Sequence, residues 1–216
     1  MDVIDRPTPP RRRGRPGGLT GPELLAVARD LFLREGYAAT TMDAVAAGAR
    51  ISKQTLYRQH GTKEDLFSAV VADWVDRGRD AMKPHRERLL AGGDPHAALL
   101  DLAMALQNGV LSDPVVRMRS LVISEAERLP AVAGDYVRRS WDRNESLLAD
   151  ALADLDARGV LDVPDPRTAA RQFTWLVVGT PLDRATLTAG AARLSAEDLS
   201  VLAREGVETF LARYGR

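Results

Sequence analysis

The 216 residues, 45% hydrophobic and 28% charged, exclude a disordered chain and suffice for one large domain or two small ones. The absence of cysteine excludes a disulfide framework, thiolate catalysis and thiolate zinc sites. Basic and acidic side chains cancel at thirty each, no apolar stretch nears the ~20 residues of a spanning helix, and the polar, Arg/Pro-rich start is no secretory signal, so a cytoplasmic protein with no membrane partner is expected.

The neutral total hides an asymmetry. Residues 1–62 carry ten basic and six acidic side chains, whereas residues 63–216 carry twenty and twenty-four. A basic end on an acidic remainder suggests that one end meets a polyanion.

Residues 1–19 are rich in Pro, Gly and Arg without apolar periodicity, and a flexible basic arm is expected there. The rest is expected to be all-α, with helices near 21–35, 42–48, 52–59, 63–82, 84–91, 96–111, 114–127, 131–157, 166–189 and 196–213. Thr20 and Glu23 have the spacing of a capping box, as do Thr62 with Asp65 and Ser195 with Asp198. Asp113-Pro114 and Asp165-Pro166 each offer a cap acceptor followed by proline at the first helical position. Pro181 is expected to kink or interrupt its helix.

The first helix carries Leu24, Val27, Ala28, Leu31 and Phe32 on one face and is expected to end at Gly36. It braces two short helices joined by the tight turn Ala49-Arg50-Ile51, which is the pattern of a helix-turn-helix. Such a unit presents its last helix to the major groove. Ile51 and Leu56 face inward, which leaves Ser52, Lys53, Gln54, Thr55, Tyr57 and Arg58 outward. Their hydroxyl, amide and cationic groups match phosphate oxygens and base edges, although the same residues also read as a solvated face. No acidic residue lies between Ala44 and Thr62.

Three sequence words now coincide: Gly36-Tyr37-Ala38-Ala39-Thr40-Thr41-Met42, Ile51-Ser52-Lys53-Gln54-Thr55-Leu56-Tyr57 and Thr62-Lys63-Glu64-Asp65-Leu66-Phe67. In order and spacing they resemble the DNA-binding domain of TetR-type (tetracycline-repressor-like) transcriptional regulators, over residues 20–67. The resemblance implies that Thr41 caps the second helix and touches a phosphate, and that Ser52, Lys53, Gln54 and Thr55 lie in the groove. It implies that Tyr57 packs across a phosphate and that Lys63 clamps another, with Arg58 beside them.

Two departures stand out. Gln59-His60 replaces the family's His-Phe, so His60 either fills the vacated apolar place or points out. Arg50 stands where the family often has Gly, which implies either a left-handed backbone strained by ~1 kcal/mol or an added phosphate contact; strain is the preferred reading. In the arm, Arg11, Arg12, Arg13 and Arg15 surround a Gly-Arg-Pro core that resembles minor-groove hooks.

Residues 68–216 are expected to form a helical ligand-binding and dimerisation domain. No metal-ligand spacing, phosphate loop or nucleophile elbow occurs, so no cofactor, metal or catalytic residue is assigned, and the chain is not read as an enzyme. The stretches 118–130 and 167–179 resemble a C-terminal domain class of TetR-type regulators that includes efflux-pump repressors. That resemblance implies a small apolar or amphipathic effector inside the bundle. Leu102, Leu106, Met118, Val122, Glu125, Trp141, Gln172 and Trp175 are the expected liners, although each also reads as plain packing. The last two helices carry Phe173, Val177, Thr180, Leu199, Leu202 and Phe210, read as a homodimer face that would form a four-helix bundle. The expected activity is a ligand-released repressor on a palindromic double-stranded DNA operator; an architectural DNA-binding protein and an all-α enzyme are the alternatives.

Overall fold

The computed structural model describes residues 18–216. Arg11, Arg12, Arg13 and Arg15 therefore lie outside the described residues. Within them the chain forms eleven α-helices: α1 (Pro22–Ala39), α2 (Met42–Gly48), α3 (Lys53–Gln59), α4 (Lys63–Arg77), α5 (Lys83–Leu90), α6 (Pro95–Val110), α7 (Asp113–Ser124), α8 (Pro130–Val137), α9 (Arg143–Ala157), α10 (Pro166–Leu187) and α11 (Ala196–Tyr214). One π turn, Arg138–Asp142, joins α8 to α9, so the long helix expected over 131–157 is interrupted at its centre. No described helix is long and apolar enough to cross a membrane.

Local chemistry accounts for most boundaries. The capping boxes Thr62–Asp65 and Ser195–Asp198 form as expected, and Asp165 accepts from the amides of Arg167 and Thr168. Two caps differ. Gly21, not Thr20, precedes α1, with Pro22 supplying the pre-set φ. Ser112, not Asp113, precedes α7, and its hydroxyl donates back to the Gly109 carbonyl. Gly78 caps α4, whose last residue, Arg77, comes five residues before the expected Met82. At Gly36, φ is 79°, a left-handed value that glycine adopts without Cβ strain, and it turns Tyr37 back under α1. Arg50 has φ 56°, so the turn holds an arginine in the strained region that the preferred reading anticipated.

Pro181 does not interrupt α10. A helical proline leaves the carbonyl four residues earlier without its donor, here that of Val177. The buried Gln107 of α6 supplies one: its Nε2 donates to Val177 O at 3.1 Å and to Leu199 O at 3.0 Å.

The apolar interior falls into two clusters. One packs α1 to α4 together with Met118, Val122, Leu129, Val132 and Tyr136 from α7, α8 and the turn between them. The other joins α5, α6, α9, α10 and α11. Trp141, in the π turn, packs against both.

Candidate DNA-reading surface and ligand cavity

The reader is built from short-range chemistry on a buried floor. Leu56 anchors α3 among Val45, Ala46 and Ala49, all buried. Ser52 caps α3 by accepting from the Thr55 amide at 3.0 Å, and the two hydroxyls lie 2.8 Å apart. Thr41 caps α2, accepting from Ala44 N at 3.1 Å. Ser52, Lys53, Gln54, Tyr57 and Arg58 are exposed and Thr55 is half-buried, so the six residues occupy one outward surface. Before α1, Leu19 N donates to Ala49 O at 3.0 Å and ties the approaching chain to the turn.

Lys63 is placed differently from its implied role as a phosphate clamp. Its ammonium donates to the carbonyls of Tyr37, Ala38 and Thr40 at 2.7, 3.1 and 2.9 Å and lies 4.5 Å from the centre of the Tyr37 ring. All three donors are thus engaged where the chain leaves α1. Burial, and then the nearby Arg128 guanidinium, lower its pKa. His60 sits partly inside, and burial lowers its pKa below the ordinary 6.5. Asp43 pairs with Lys53 across α2 and α3.

The cavity lies in the second cluster, between α5, α6, α9, α10 and the π turn, with a volume near 100 Å³. This is smaller than the ~300–1,000 Å³ of a drug-sized pocket. Leu102, Leu106, Trp141 and Trp175 line it as expected. The Trp141 and Trp175 rings stack 5.8 Å apart, their planes 10° from parallel.

Four expected liners are elsewhere. Met118 and Val122 point the other way, into the core shared with the reader, because α7 lies against α1. Glu125 sits near Tyr37 and Lys63 at that same junction. Gln172 faces outward and accepts from the Tyr214 hydroxyl at 2.6 Å.

The sequence reading missed Met82, Arg86, Asn144, Glu145, Arg171 and Thr174. Those on α9 follow Trp141 at helical spacing, and that was their available signal. Arg86, on a short polar helix, carried none. Among the described residues, no group of three or more His, Asp or Glu could hold a metal ion.

The expected dimer face is also partly internal. Phe173, Val177 and Phe210 are buried within the chain, and the Phe173 and Phe210 rings meet edge-on at 5.2 Å. Apolarity alone does not distinguish a core stripe from an interface stripe. Thr180 is exposed, and Leu199 and Leu202 are half-buried. An apolar groove also opens to solvent between α10 and α11, lined by Trp175, Leu176, Thr209 and Arg213; Trp175 is 52% exposed.

Comparison with known proteins agrees with this architecture. The family profile for bacterial regulatory proteins of the tetR family matches residues 24–70, and that for the C-terminal domain of AefR-like transcriptional repressors matches residues 97–216. An HTH-type transcriptional regulator of Mycobacterium bovis is 41% identical over 73 residues, which is 34% of this chain and 34% of that protein, so the match covers about a third of that relative. The DNA-binding transcriptional repressor TetR of Mycobacteroides abscessus is 27% identical over 208 residues, covering 85% of this chain and 93% of the other. A TetR-family transcriptional regulator from Mesorhizobium loti superposes with a TM-score of 0.85 at 29% identity, covering 90% of this chain and 96% of that one. The Flavonoid-responsive Regulator FrrA superposes at 0.69 with 28% identity, covering 89% and 95%. With its profiles covering both the reader and more than half of the chain, the protein belongs to the TetR family of transcriptional regulators.

Proposed function

We propose that this protein is a cytoplasmic, ligand-responsive repressor that binds a palindromic operator as a homodimer and is released by a small molecule seated in the α5–α10 cavity. Residues 20–67 act as the reader, and residues 68–216 sense and dimerise. The observation that carries the reading is the outward polar surface of α3, with Leu56 seating the helix on an apolar floor. Ser52, Lys53, Gln54 and Thr55 enter the groove, while Thr41, Tyr57 and Arg58 meet phosphates. The two readers of a dimer dock together only when separated by one helical turn, ~34–36 Å, or a multiple. The groove between α10 and α11 is the apolar surface that a second copy covers. The repressor relative in Mycobacteroides abscessus supports the sign of regulation, and the flavonoid-responsive relative supports a small-molecule trigger.

The path from cavity to reader runs through Trp141. It lines the cavity and packs on both cores. The π turn that holds it also grips the end of α4, where Arg139 donates to Asp76 at 3.1 Å, and the first residue of α9, Arg143, donates to the Arg79 carbonyl just beyond α4 at 2.7 Å. A ligand that displaces Trp141 pulls on α4 and shifts the readers by population shift. An architectural role without ligand predicts a solid interior, and the cavity favours the responsive reading.

The test is a gel shift with the DNA upstream of the protein's own gene. Binding to an inverted repeat there, lost on addition of an effector and weakened by Gln54→Ala, is the expected result. Equal affinity for unrelated duplexes would overturn the assignment.

A further inference from the structure

Charge inside the cavity does not balance. Its ionic liners are Arg86 on α5, Glu145 on α9 and Arg171 on α10. Glu145 is already taken, since Arg171 Nε donates to its Oε1 at 2.7 Å. Asp101, on the helix facing α5, is held by His85 at 2.6 Å and by Arg88 at 2.7 Å. Arg86 has no ion-pair partner among the described residues, and its Nε is shut off from solvent with no acceptor. An unpaired donor out of water costs about 1–3 kcal/mol, more for a charged group, and is rare in native interiors. Around it the wall is apolar, formed by Leu102, Leu106, Trp141, Leu148 and Phe173.

We propose that the cavity takes a small monocarboxylate, its carboxylate held by Arg86 and its apolar body laid against the Leu102, Trp141 and Phe173 wall. This deepens the effector reading and rests on it for the regulatory consequence. The number of charges follows from the liners. With Glu145 and Arg171 neutralising each other, one positive charge remains. A neutral molecule brings no counter-charge to the half-buried Arg86, and a dianion adds an unpaired charge of its own. The planar fork of arginine matches a carboxylate with two parallel hydrogen bonds. Asn144, one turn after Trp141, offers an amide for the outer oxygen. Size points the same way: a dry cavity of ~150 Å³ holds a benzene ring, so ≈ 100 Å³ suits a body of one ring or a short chain once the walls give slightly.

The experiment uses the full chain and three matched pairs: benzoate, 3-phenylpropionate and octanoate, each against its carboxamide. Binding is read by quenching of tryptophan fluorescence, to which Trp141 and Trp175 contribute, and by calorimetry. At least one acid is expected to bind tenfold or more tightly than its amide. Arg86→Gln should abolish that difference without lowering the ligand-free melting temperature, while Arg86→Lys should keep part of it. Equal binding of acid and amide, no binding by any acid, or an acid preference that survives Arg86→Gln would each overturn the proposal. Operator affinity in the same samples separates the two readings. An acid that binds through Arg86 but leaves DNA affinity unchanged defeats the effector reading and keeps the anion site. Release of DNA by amides as readily as by acids keeps the effector reading and defeats the anion site.

Discussion

Lys53, the first residue of α3, rests its ammonium on the carboxylate of Asp43 in α2. Both side chains are more than half exposed, so the pair adds little stability, about 0–1 kcal/mol. Its effect is on DNA. Asp43 holds back a cation at the reading surface and places a negative charge where phosphate must approach. Asp43→Asn should tighten binding on all sequences and steepen the salt dependence by about one counterion. A filter-binding series across salt concentrations checks this. An unchanged slope would mean that Lys53 stays off the backbone.

Lys63 holds the three carbonyls that follow the Gly36 break. Lys63→Met should cost roughly 2 kcal/mol, since hydrogen bonds from a charged donor are each worth about 1.5–3 before resolvation. The urea midpoint should fall with an unchanged slope. If instead stability holds and the salt dependence of DNA binding flattens, the phosphate-clamp role implied by the resemblance is the correct one.

His60 titrates below the ordinary 6.5 because burial disfavours its charged form. The unfolded chain therefore binds the proton first, and the stabilisation is complete above that value and lost as pH falls through it. The melting temperature should decline on acidification from neutrality. His60→Phe should reduce that decline and raise the midpoint at every pH, as measured by thermal melts from pH 7 to pH 5.

Arg139 links the π turn to α4 through Asp76 and back to α8 through Asp135. Arg139→Ala should change stability by less than ~1 kcal/mol, because these pairs are wet. It should leave ligand binding intact and weaken ligand-driven release of DNA by about fivefold, a coupling loss near 1 kcal/mol. Paired fluorescence and gel-shift titrations separate the two quantities.

Thr209 is exposed on the wall of the α10–α11 groove. Thr209→Glu should leave the monomer folded and place a charge where a second copy would seat. Sedimentation should then report a smaller species, and operator affinity should fall with it. A dimer that persists would move the interface elsewhere.

The elements and the reader were legible because their signals are local. Caps such as Thr62 and Ser195, breaks such as Gly36, and the Leu56 anchor act within a few residues, so spacing alone finds them. The cavity was only half legible. Met118, Val122 and Phe173 lie on apolar faces like those of Leu102 and Leu106, and periodicity does not say which neighbour a face meets. The approach of α7 to α1 decides it, with the Arg117 guanidinium donating to the Leu33 carbonyl at 2.9 Å, and that contact joins residues far apart in the chain. Arg86 was illegible for a similar reason: its isolation comes from partners that other residues have already claimed.

The bond pair made by Gln107 has a further mechanical consequence. One amide ties α6 to α10 at Val177 and to α11 beside Leu199, so these three helices form a single braced panel. Leu102, Leu106 and Phe173 belong to that panel and form one wall of the cavity. Met82 and Arg86 stand on the opposite margin, where α5 has only eight residues and follows a run of turns. The cavity is therefore braced on the side of α6, α10 and α11, and Arg86 stands on the margin that this bracing does not reach.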